Sequence, residues 1–300
     1  MKRVILIGVV LMIAFLSMQQ SKKKSIGLLV PIEHRAMEEM VRGFKEGACG
    51  IEVDVQNGQG DLTIQRAIIE NFAKYEVIAA IGTDASLLAL SRAGRVVAVD
   101  VTDQVKHTEN STGVRESSIE PSYRFIKELL PDLKKVAMVY SSSDKNYQMV
   151  ERFSSYAKGD GIVVQPVMVQ SLSELYLLAE SIEKDVDAIF IAKDHLVASG
   201  APILAKIAEK LKIPLISSDE GTVHAGSSVA LGNREFDVGK RSGEIAAKIL
   251  QGVNAQEIPM EPVSKMVIFF NEEACRKQGL QIEEVQRVAK VENCDVFACC

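Results

Sequence analysis

The stretch SSDEGTVHAG, residues 217–226, contains the side chains best suited to chemistry late in the chain. Asp219 and Glu220 are adjacent carboxylates, and His224 lies in the same stretch. Such side chains act as general acids and bases or as metal ligands, and carboxylates also bind cationic ligands. A solvent-exposed loop has a similar composition, so the elements around this stretch must decide between these interpretations.

Short polar segments follow most of the apolar runs that predict β-strands. These segments are PIEHR (31–35), NGQGD (57–61), GTDAS (82–86), TDQ (102–104), SSSDKN (141–146), KDH (193–195) and SDEG (218–221). Ligands of open α/β sheets bind at the carboxyl ends of the strands. The sequence therefore predicts a ring of loop ends, from two lobes, around an interlobe cleft.

Two of these segments predict a site for a ligand ammonium. Asp194 and Asp219 closely follow buried strands, AIFIA in one case and IPLIS in the other. Neighbouring parallel strands would bring both carboxylates to the same edge of a sheet. An unpaired carboxylate there is costly to desolvate, and a bound ammonium would compensate its charge.

The segment GTDAS opens a predicted helix over Ala85–Arg92. The N–H groups at the helix start, together with the hydroxyls of Thr83 and Ser86, could hold a ligand carboxylate. Asp84 is also a suitable N-cap residue, and capping alone is the alternative role for this segment.

Signatures of enzymes and cofactors are weak. Glu33 and His34 could form an acid–base pair, or could bind a ligand or each other. NGQGD holds a fragment of a dinucleotide fingerprint, but the third glycine is missing and Asp61 would repel phosphate, so Asp61 is expected to cap a helix. The five cysteines show no C-x-x-C metal spacing. We therefore expect no cofactor, no metal and no catalytic residue.

Composition narrows the class of protein. The chain has 300 residues, of which 47% are hydrophobic, and a formal net charge of -5. The body has no basic patch, which argues against a nucleic-acid partner. Lys2 and Arg3 precede the apolar run Val4–Leu16, in the order of a secretory signal. Residues 1–24 are expected to be a signal peptide or, if they are not cleaved, an N-terminal anchor.

Apolar runs and amphipathic stretches alternate through the rest of the chain. This repetition predicts an α/β fold with mostly parallel sheets covered on both faces. About ten predicted strands exceed what one compact sheet holds comfortably, so two α/β lobes are expected. The polar stretch Asp103–Ser118 is expected to be the first crossing between the lobes.

The sequence around Asp219 resembles a known family. IPLISSDEGTVHAGSSVALGNREFDVGKRSGEIAAKILQG is similar to the closing third of type 1 periplasmic binding proteins, and more specifically of the ABC-transporter substrate-binding family that includes tryptophan- and tyrosine-binding members. The segments EH, GQGD, VTDQV, STGV, IKELLPDLKKVAMVY and EPVSKMVIFFNEEACRKQGL follow in that family's order, from Ser25 to Leu280. EHR stands where the family usually has EHP, which leaves the identity of the ligand open.

The resemblance implies two Rossmann-like lobes joined by three hinge crossings near Gly113, Asn233 and Pro262. The N-terminal lobe would comprise residues 25–113 and 233–262, and the C-terminal lobe residues 114–232 and 263–280. Residues 281–300 have no recognised counterpart in the family and are expected to form an unstructured C-terminal extension.

The resemblance also implies which residues bind the ligand. The ligand loops of the family correspond to Glu33, His34, Thr83, Asp84, Ala85, Ser86, Asp103, Ser141, Ser143, Asn146, Asp194 and Asp219. Asp219 is expected to face the cleft, whereas Glu220 and His224 are expected to face water.

The expected function is that of the extracytoplasmic solute-binding component of an ABC importer. Its ligand would be a small zwitterion, with an aromatic amino acid as one candidate, and its partner would be a membrane permease. The chain is expected to be a periplasmic monomer exported by its N-terminal signal. A membrane-anchored sensory binding module and a two-lobed α/β enzyme that uses Glu33 and His34 are the alternatives.

Overall fold

The computed structural model describes residues 25–33, 35–92, 94–178, 181–182, 184–292 and 294–299. The expected signal segment, residues 1–24, and His34 both lie outside the described residues. Within the described part of the chain, no helix is long and apolar enough to span a membrane.

Strands and helices alternate along most of the described chain. The first elements are β1 (Ser25–Val30), α1 (Arg35–Gly47), β2 (Glu52–Asn57), α2 (Leu62–Phe72), β3 (Val77–Ile81), α3 (Thr83–Leu90), β4 (Val96–Val101), β5 (Ser111–Arg115) and α4 (Glu120–Leu129). Next come β6 (Lys135–Ser141), α5 (Asp144–Gly159), β7 (Val163–Val169), α6 (Leu172–Leu178), β8 (Ala188–Ile191), α7 (His195–Ser199), α8 (Ala201–Leu211), β9 (Leu215–Ser217), α9 (Glu220–His224) and β10 (Val229–Gly232). The last are α10 (Glu235–Leu250), a 3-10 helix (Ala255–Glu257), β11 (Glu261–Pro262), β12 (Val267–Phe270), α11 (Glu272–Gln278), α12 (Ile282–Glu292) and β13 (Asp295–Ala298).

The chain divides into two compact units. Among the described residues, unit one comprises those from Ser25 to Met37, Val41–Val114 and Gly239–Met260. Unit two comprises Glu38–Met40, Arg115–Val238 and the residues from Glu261 onward. The three main passages of the chain between the units follow residues 114, 238 and 260, where the family resemblance implied positions near 113, 233 and 262.

Each unit contains a largely parallel sheet. In unit one the strand order is β5-β4-β3-β1-β2, and β1 pairs in parallel with both β2 and β3. In unit two the order is β13-β12-β10-β9-β8-β6-β7, and β10 pairs with β12 in the antiparallel sense. The predicted α/β fold with two lobes and parallel sheets is confirmed.

Both faces of the unit-two sheet are packed. Alternate residues of β6 enter different hydrophobic clusters, with Met138 beside Phe153 on one face and Val139 beside Leu204 on the other. All residues of β8 and β10 are buried for the same reason. This double burial explains why the strands are continuous apolar runs in the sequence rather than alternating ones.

The C-terminal residues correct one expectation. In the described part of 281–299, α12 buries Val285 and Val288 completely, and β13 pairs with β12 in parallel. Val285, Val288 and Ala289 have the spacing of an apolar helix face. The expectation of an unstructured extension was therefore wrong, because it followed the end of the family resemblance instead of this pattern.

The polar stretch Asp103–Ser118 also contains more structure than expected, since β5 lies within it. A Cβ at Gly113 would lie 1.8 Å from the Ala98 carbonyl oxygen, so β5 packs very closely against β4. Thr112 is fully buried and donates its hydroxyl to the Ile258 carbonyl over 2.7 Å. A strand whose buried side chains are small and hydrogen-bonded carries no apolar signal in the sequence.

Candidate functional site

The carboxyl ends of four neighbouring strands form one edge of the unit-two sheet. Val139 of β6 pairs with Ile191 of β8, Ile191 pairs with Ser217 of β9, and β10 continues the parallel order. The segments that follow these four strands therefore lie along a common edge. Open α/β sheets bind their ligands at such an edge.

Asp194 is the centre of a hydrogen-bond network at this edge. Its Oδ1 accepts from the N–H groups of Leu196 (3.0 Å) and Val197 (3.2 Å) and so caps α7. Its Oδ2 accepts from the Ser141 N–H over 2.6 Å and from the Asn146 amide over 2.7 Å. Asp194 is 6% exposed. A carboxylate has about four acceptor positions, so these donors occupy Asp194 without a ligand.

Three residues predicted to bind the ligand thus come together and bind one another. Asn146, which is 5% exposed, also donates to the Ser141 hydroxyl over 3.0 Å. Ser143 caps α5, its hydroxyl accepting from the Asn146 N–H over 3.2 Å. These contacts hold the sheet edge together. The Asp194 carboxylate accepts four hydrogen bonds within the protein, and its role in binding a ligand ammonium stays a prediction.

Asp219 differs from Asp194 because it is only partly buried. It caps α9, with Oδ1 accepting from the Thr222 N–H over 2.9 Å and Oδ2 lying 3.2 Å from the Thr222 hydroxyl. That hydroxyl also donates to Ser217 Oγ over 2.6 Å. Asp219 therefore keeps acceptor capacity for a ligand at this edge.

Glu235, the first residue of α10, was missed by the sequence analysis. Burial raises the pKa of Glu235 to about 7; Lys193 opposes this rise, and Asp219 and Glu220 add to it. These interactions connect four charged side chains along the unit-two edge. Glu235 is the third residue after β10, so the rule that ligands bind at the carboxyl ends of strands also identifies it.

Ser218 and Gly232 pack closely together at this edge, beside Asp219. The Ser218 hydroxyl oxygen is buried and has no hydrogen-bond partner among the described residues. A Cβ at Gly232 would lie 2.3 Å from the Ser218 carbonyl oxygen, so glycine lets β10 approach the segment after β9 this closely. A buried hydroxyl without a partner is a group that a ligand could satisfy.

In unit one, α3 begins at Thr83, two residues earlier than expected. Gly82 is its N-cap, with a φ of 87° and no side-chain cap hydrogen bond. Thr83 Oγ1 accepts from the Thr102 N–H over 3.0 Å, which connects α3 to the end of β4. Ser86 is fully buried and donates its hydroxyl to the Ala80 carbonyl over 3.0 Å.

These contacts bear on the two roles expected of the segment GTDAS (82–86), which are binding a ligand carboxylate and capping the helix through Asp84. Ala85 and Ser86 are buried, and the Ser86 hydroxyl donates to a backbone carbonyl of the same unit, so their ligand-binding roles stay predictions. Asp84 is exposed in the first turn and is not the N-cap. No atom lies within 4 Å of where a Gly82 Cβ would stand, so the space beside the N-cap of α3 is open. Asp84 opposes the binding of an anion there.

The remaining predicted residues that the structure describes, Glu33 and Asp103, lie on the surface. Asp103 is exposed after β4, and its carbonyl accepts from the Lys106 ammonium over 2.8 Å. Glu33 is exposed after β1. Both the ligand-binding and the acid–base role of Glu33 with His34 stay predictions.

Three concave surfaces of the described residues lie away from the strand ends that bind ligands in α/β sheets. One of about 420 Å³ lies at the amino ends of β3 and β4, beside Glu76 and Arg95. The others lie beside Lys290 and Asp295, with about 390 Å³, and between α11 and α12, with about 540 Å³. None includes a residue of the predicted strand-end segments, so the strand ends remain the candidate site.

Comparison with known sequences identifies relatives along most of the chain. Residues 25–292 match a family described as ABC transporter substrate binding protein. An uncharacterised protein of Rickettsia prowazekii (strain Madrid E) is 33% identical over 267 residues, which cover 87% of each chain. A tyrosine-binding protein of Clostridioides difficile (strain R20291) is 27% identical over 299 residues, which cover 91% of this chain and 86% of the relative.

Solved structures share the fold. The ligand-free, open structure of a Clostridium difficile substrate-binding protein with adhesive properties has a TM-score of 0.76 and 25% identity, covering 92% of this chain and 100% of that one. A Streptococcus pneumonia domain in complex with L-Trp has a TM-score of 0.78 and 23% identity, with the same coverage of 92% and 100%. Since the family match extends over residues 25–292, the chain belongs to the ABC transporter substrate-binding protein family.

Proposed function

We propose that this protein is the extracytoplasmic solute-binding component of an ABC importer and that its ligand is a small zwitterion. Membership of the substrate-binding family supports delivery of a small molecule to a membrane permease. An aromatic amino acid is the candidate ligand, because one relative is a tyrosine-binding protein and one similar structure holds L-Trp.

The observation that carries this proposal is an excess of carboxyl groups on the unit-two edge. The group contains three carboxyl groups and one amine. Glu235 interacts with the carboxylates of Asp219 and Glu220 and with the amine of Lys193. Glu235 is 5% exposed, so its negative charge is poorly solvated. An ammonium bound at Asp219 would offset this charge, whereas a ligand carrying only a negative charge would be repelled.

The start of α3, which the sequence analysis assigned to the ligand carboxylate, is a weak anion site. The space beside its N-cap Gly82 is open, but Asp84 adds a negative charge to the first turn. We therefore expect the ammonium to contribute more of the binding free energy than the carboxylate.

Calorimetric titration with L-tyrosine and L-tryptophan tests this proposal. Phenethylamine, which keeps the ammonium, and 3-phenylpropionate, which keeps the carboxylate, separate the two charges. Asp219→Asn should weaken amino-acid binding by at least about thirtyfold, because losing one partner of a buried charge pair costs roughly 2–5 kcal/mol. The same variant should bind 3-phenylpropionate no more weakly than the wild type does.

Asp61→Asn is the matched control. Asp61 is also an N-cap aspartate, with Oδ1 accepting from the Thr63 and Ile64 N–H groups, but it is exposed in unit one. If the wild type and Asp219→Asn bind an amino acid with equal affinity, Asp219 does not bind the ligand ammonium. If neither amino acid binds, the proposed ligand is wrong, and the family assignment is unaffected.

Export belongs to the same proposal. Lys2, Arg3 and the apolar run Val4–Leu16 predict passage through the inner membrane. Cell fractionation with N-terminal sequencing should find the chain outside the cytoplasm, either cleaved or still carrying its N-terminus. A full-length product in the soluble cytoplasmic fraction would contradict export.

A further inference from the structure

Glu220, His224 and Cys299 form a cluster of three different donor types in unit two. One carboxylate oxygen, one imidazole nitrogen and the thiol sulfur all lie within 4.8 Å of one another. The His224 Nε2 and Glu220 Oε1 atoms are 3.6 Å apart. Because Cys299 is far from the other two in the sequence, no spacing motif indicates this cluster.

The fold positions the first two donors on a single short helix. The Asp219 cap sets the start of α9, and Glu220 and His224 are its first and last residues. Residues four apart lie on the same helix face. Both side chains are only partly exposed, at 30% for Glu220 and 25% for His224, so they do not simply face water as the sequence analysis expected.

The third donor is positioned by the C-terminal strand. The Cys299 N–H donates to the Phe270 carbonyl over 2.7 Å, directly after β13. Cys299 is 7% exposed and packs in a hydrophobic cluster with Val223 of α9 and Phe269 of β12. Cys299 thus packs among apolar residues, and its thiol lies within 4.8 Å of the two more exposed donors.

The donor set selects one class of metal ion. Thiolate and imidazole ligands favour Zn²⁺ and similar ions over Mg²⁺ and Ca²⁺, which prefer oxygen. Tetrahedral Zn²⁺ bonds of about 2.0–2.3 Å require donor atoms roughly 3.3–3.6 Å apart. The pair of 3.6 Å already meets this spacing, and the thiol needs only a small side-chain movement to do so.

We propose that Glu220, His224 and Cys299 bind a borderline-soft divalent cation of the Zn²⁺ type. Three protein donors leave one coordination position for water or another ligand, as in open zinc sites. The bound ion would connect α9 to the C-terminal strand β13. Metal binding would therefore stabilise the C-terminal strand as well as α9, because it ties together segments that are distant in the sequence.

Metal titration of the full chain without a polyhistidine tag, with its thiols kept reduced by a phosphine, tests the proposal. We expect one Zn²⁺ per chain, a higher melting temperature with Zn²⁺ than with Mg²⁺, and a thiolate-to-metal charge-transfer band with Co²⁺. Cys299→Ser should remove the band and weaken Zn²⁺ binding at least about a hundredfold, since loss of an outer-shell partner alone costs 10–100-fold. His224→Ala should weaken Zn²⁺ binding to a similar extent.

Cys294→Ser is the matched control, because it removes a partly exposed thiol of the same C-terminal segment that is outside the cluster. This variant should keep both the band and the affinity. A band that persists in Cys299→Ser and disappears in Cys300→Ser would overturn the assignment, as would equal Zn²⁺ affinity in wild type and Cys299→Ser. Cys299→Ser should lose Zn²⁺ affinity and keep amino-acid affinity, because the thiol has no part in the proposed ammonium site, and this separates the metal proposal from the ligand proposal.

Discussion

The side-chain amide of Asn146 donates a 2.7 Å hydrogen bond to Oδ2 of Asp194, and both side chains are almost completely buried. The two residues follow β6 and β8, which are neighbours in the unit-two sheet. Each follows the end of a strand, where α/β sheets bind ligands, and the two side chains are hydrogen-bonded to each other. Part of the polar edge that α/β sheets use for ligands is thus used here to hold the edge together.

Asp194→Ala should lower the free energy of unfolding by roughly 2–4 kcal/mol. The substitution removes a helix cap, worth about 1 kcal/mol, and takes an acceptor away from the Ser141 N–H and the buried Asn146 amide, at about 1–3 kcal/mol. Urea unfolding measures this loss. Asp61→Ala, which removes an exposed cap alone, should cost only about 1 kcal/mol. Equal losses in the two variants would mean that the contacts with Asn146 and Ser141 add nothing.

Glu235→Gln should change how stability depends on pH. The pKa of Glu235 in the folded protein, about 7, lies above its ordinary value of 4.5, so the folded state binds more protons than the unfolded state between these values. Wild-type stability therefore falls as the pH rises through this range. Glutamine cannot ionise, so the variant should be more stable above pH ~7, by up to about 3 kcal/mol. The two proteins should have similar stabilities below pH 4.5.

Thermal unfolding across this pH range checks the prediction for Glu235. Glu151→Gln, at an exposed position of α5, serves as the control and should leave the profile unchanged. A Glu235→Gln profile parallel to that of the wild type would show that Glu235 does not titrate in this range.

Amino-acid binding near pH 7 should release protons from Glu235. A ligand ammonium at Asp219 would favour the ionised form of the nearby Glu235 and lower its pKa. Calorimetry in buffers with different ionisation enthalpies measures this release directly. The release should be absent in Glu235→Gln. A wild-type binding enthalpy that does not depend on the buffer would argue against an ammonium close to this carboxyl.

Gly232→Ala should disturb the edge beside Asp219. Its Cβ would lie 2.3 Å from the Ser218 carbonyl oxygen, and relieving such an overlap costs roughly 1–3 kcal/mol. We expect lower stability in urea unfolding together with weaker amino-acid binding. Gly159→Ala is the control, because no atom lies within 4 Å of its Cβ position at the end of α5. The control should be neutral or stabilising by up to about 1 kcal/mol.

Val288→Ala should destabilise unit two, although Val288 lies beyond the segment in which the family resemblance was recognised. Val288 is fully buried in α12, and deleting two buried methyl groups costs about 2 kcal/mol once the cavity is included. Val291 on the same helix is 61% exposed, so Val291→Ala should change stability by less than about 0.5 kcal/mol. Similar small effects of both substitutions on urea unfolding would mean that α12 does not contribute to the core.

The sequence by itself determined the strands and the class of fold. Runs such as SIGLLV and VVAVDV coincide with β1 and β4, because strands buried on both faces must be apolar throughout. The ordered motifs from Ser25 to Leu280 led to the family that the comparison then showed. The hydrophobic pattern of the sequence did not predict β5, because buried side chains of this strand such as Thr112 are small and polar.

The tertiary structure decided which polar residues at the strand ends are hydrogen-bonded to one another. Strand ends identify Asp194 and Asp219 equally well, yet only the fold brings Asn146 and Ser141 to Asp194 and uses all of its acceptor positions. The fold likewise buries Glu235 and places Cys299 beside His224. Hydrogen bonding, burial and electrostatic coupling depend on distance in space, and these partners are far apart in the chain, so no local pattern of residues predicts them.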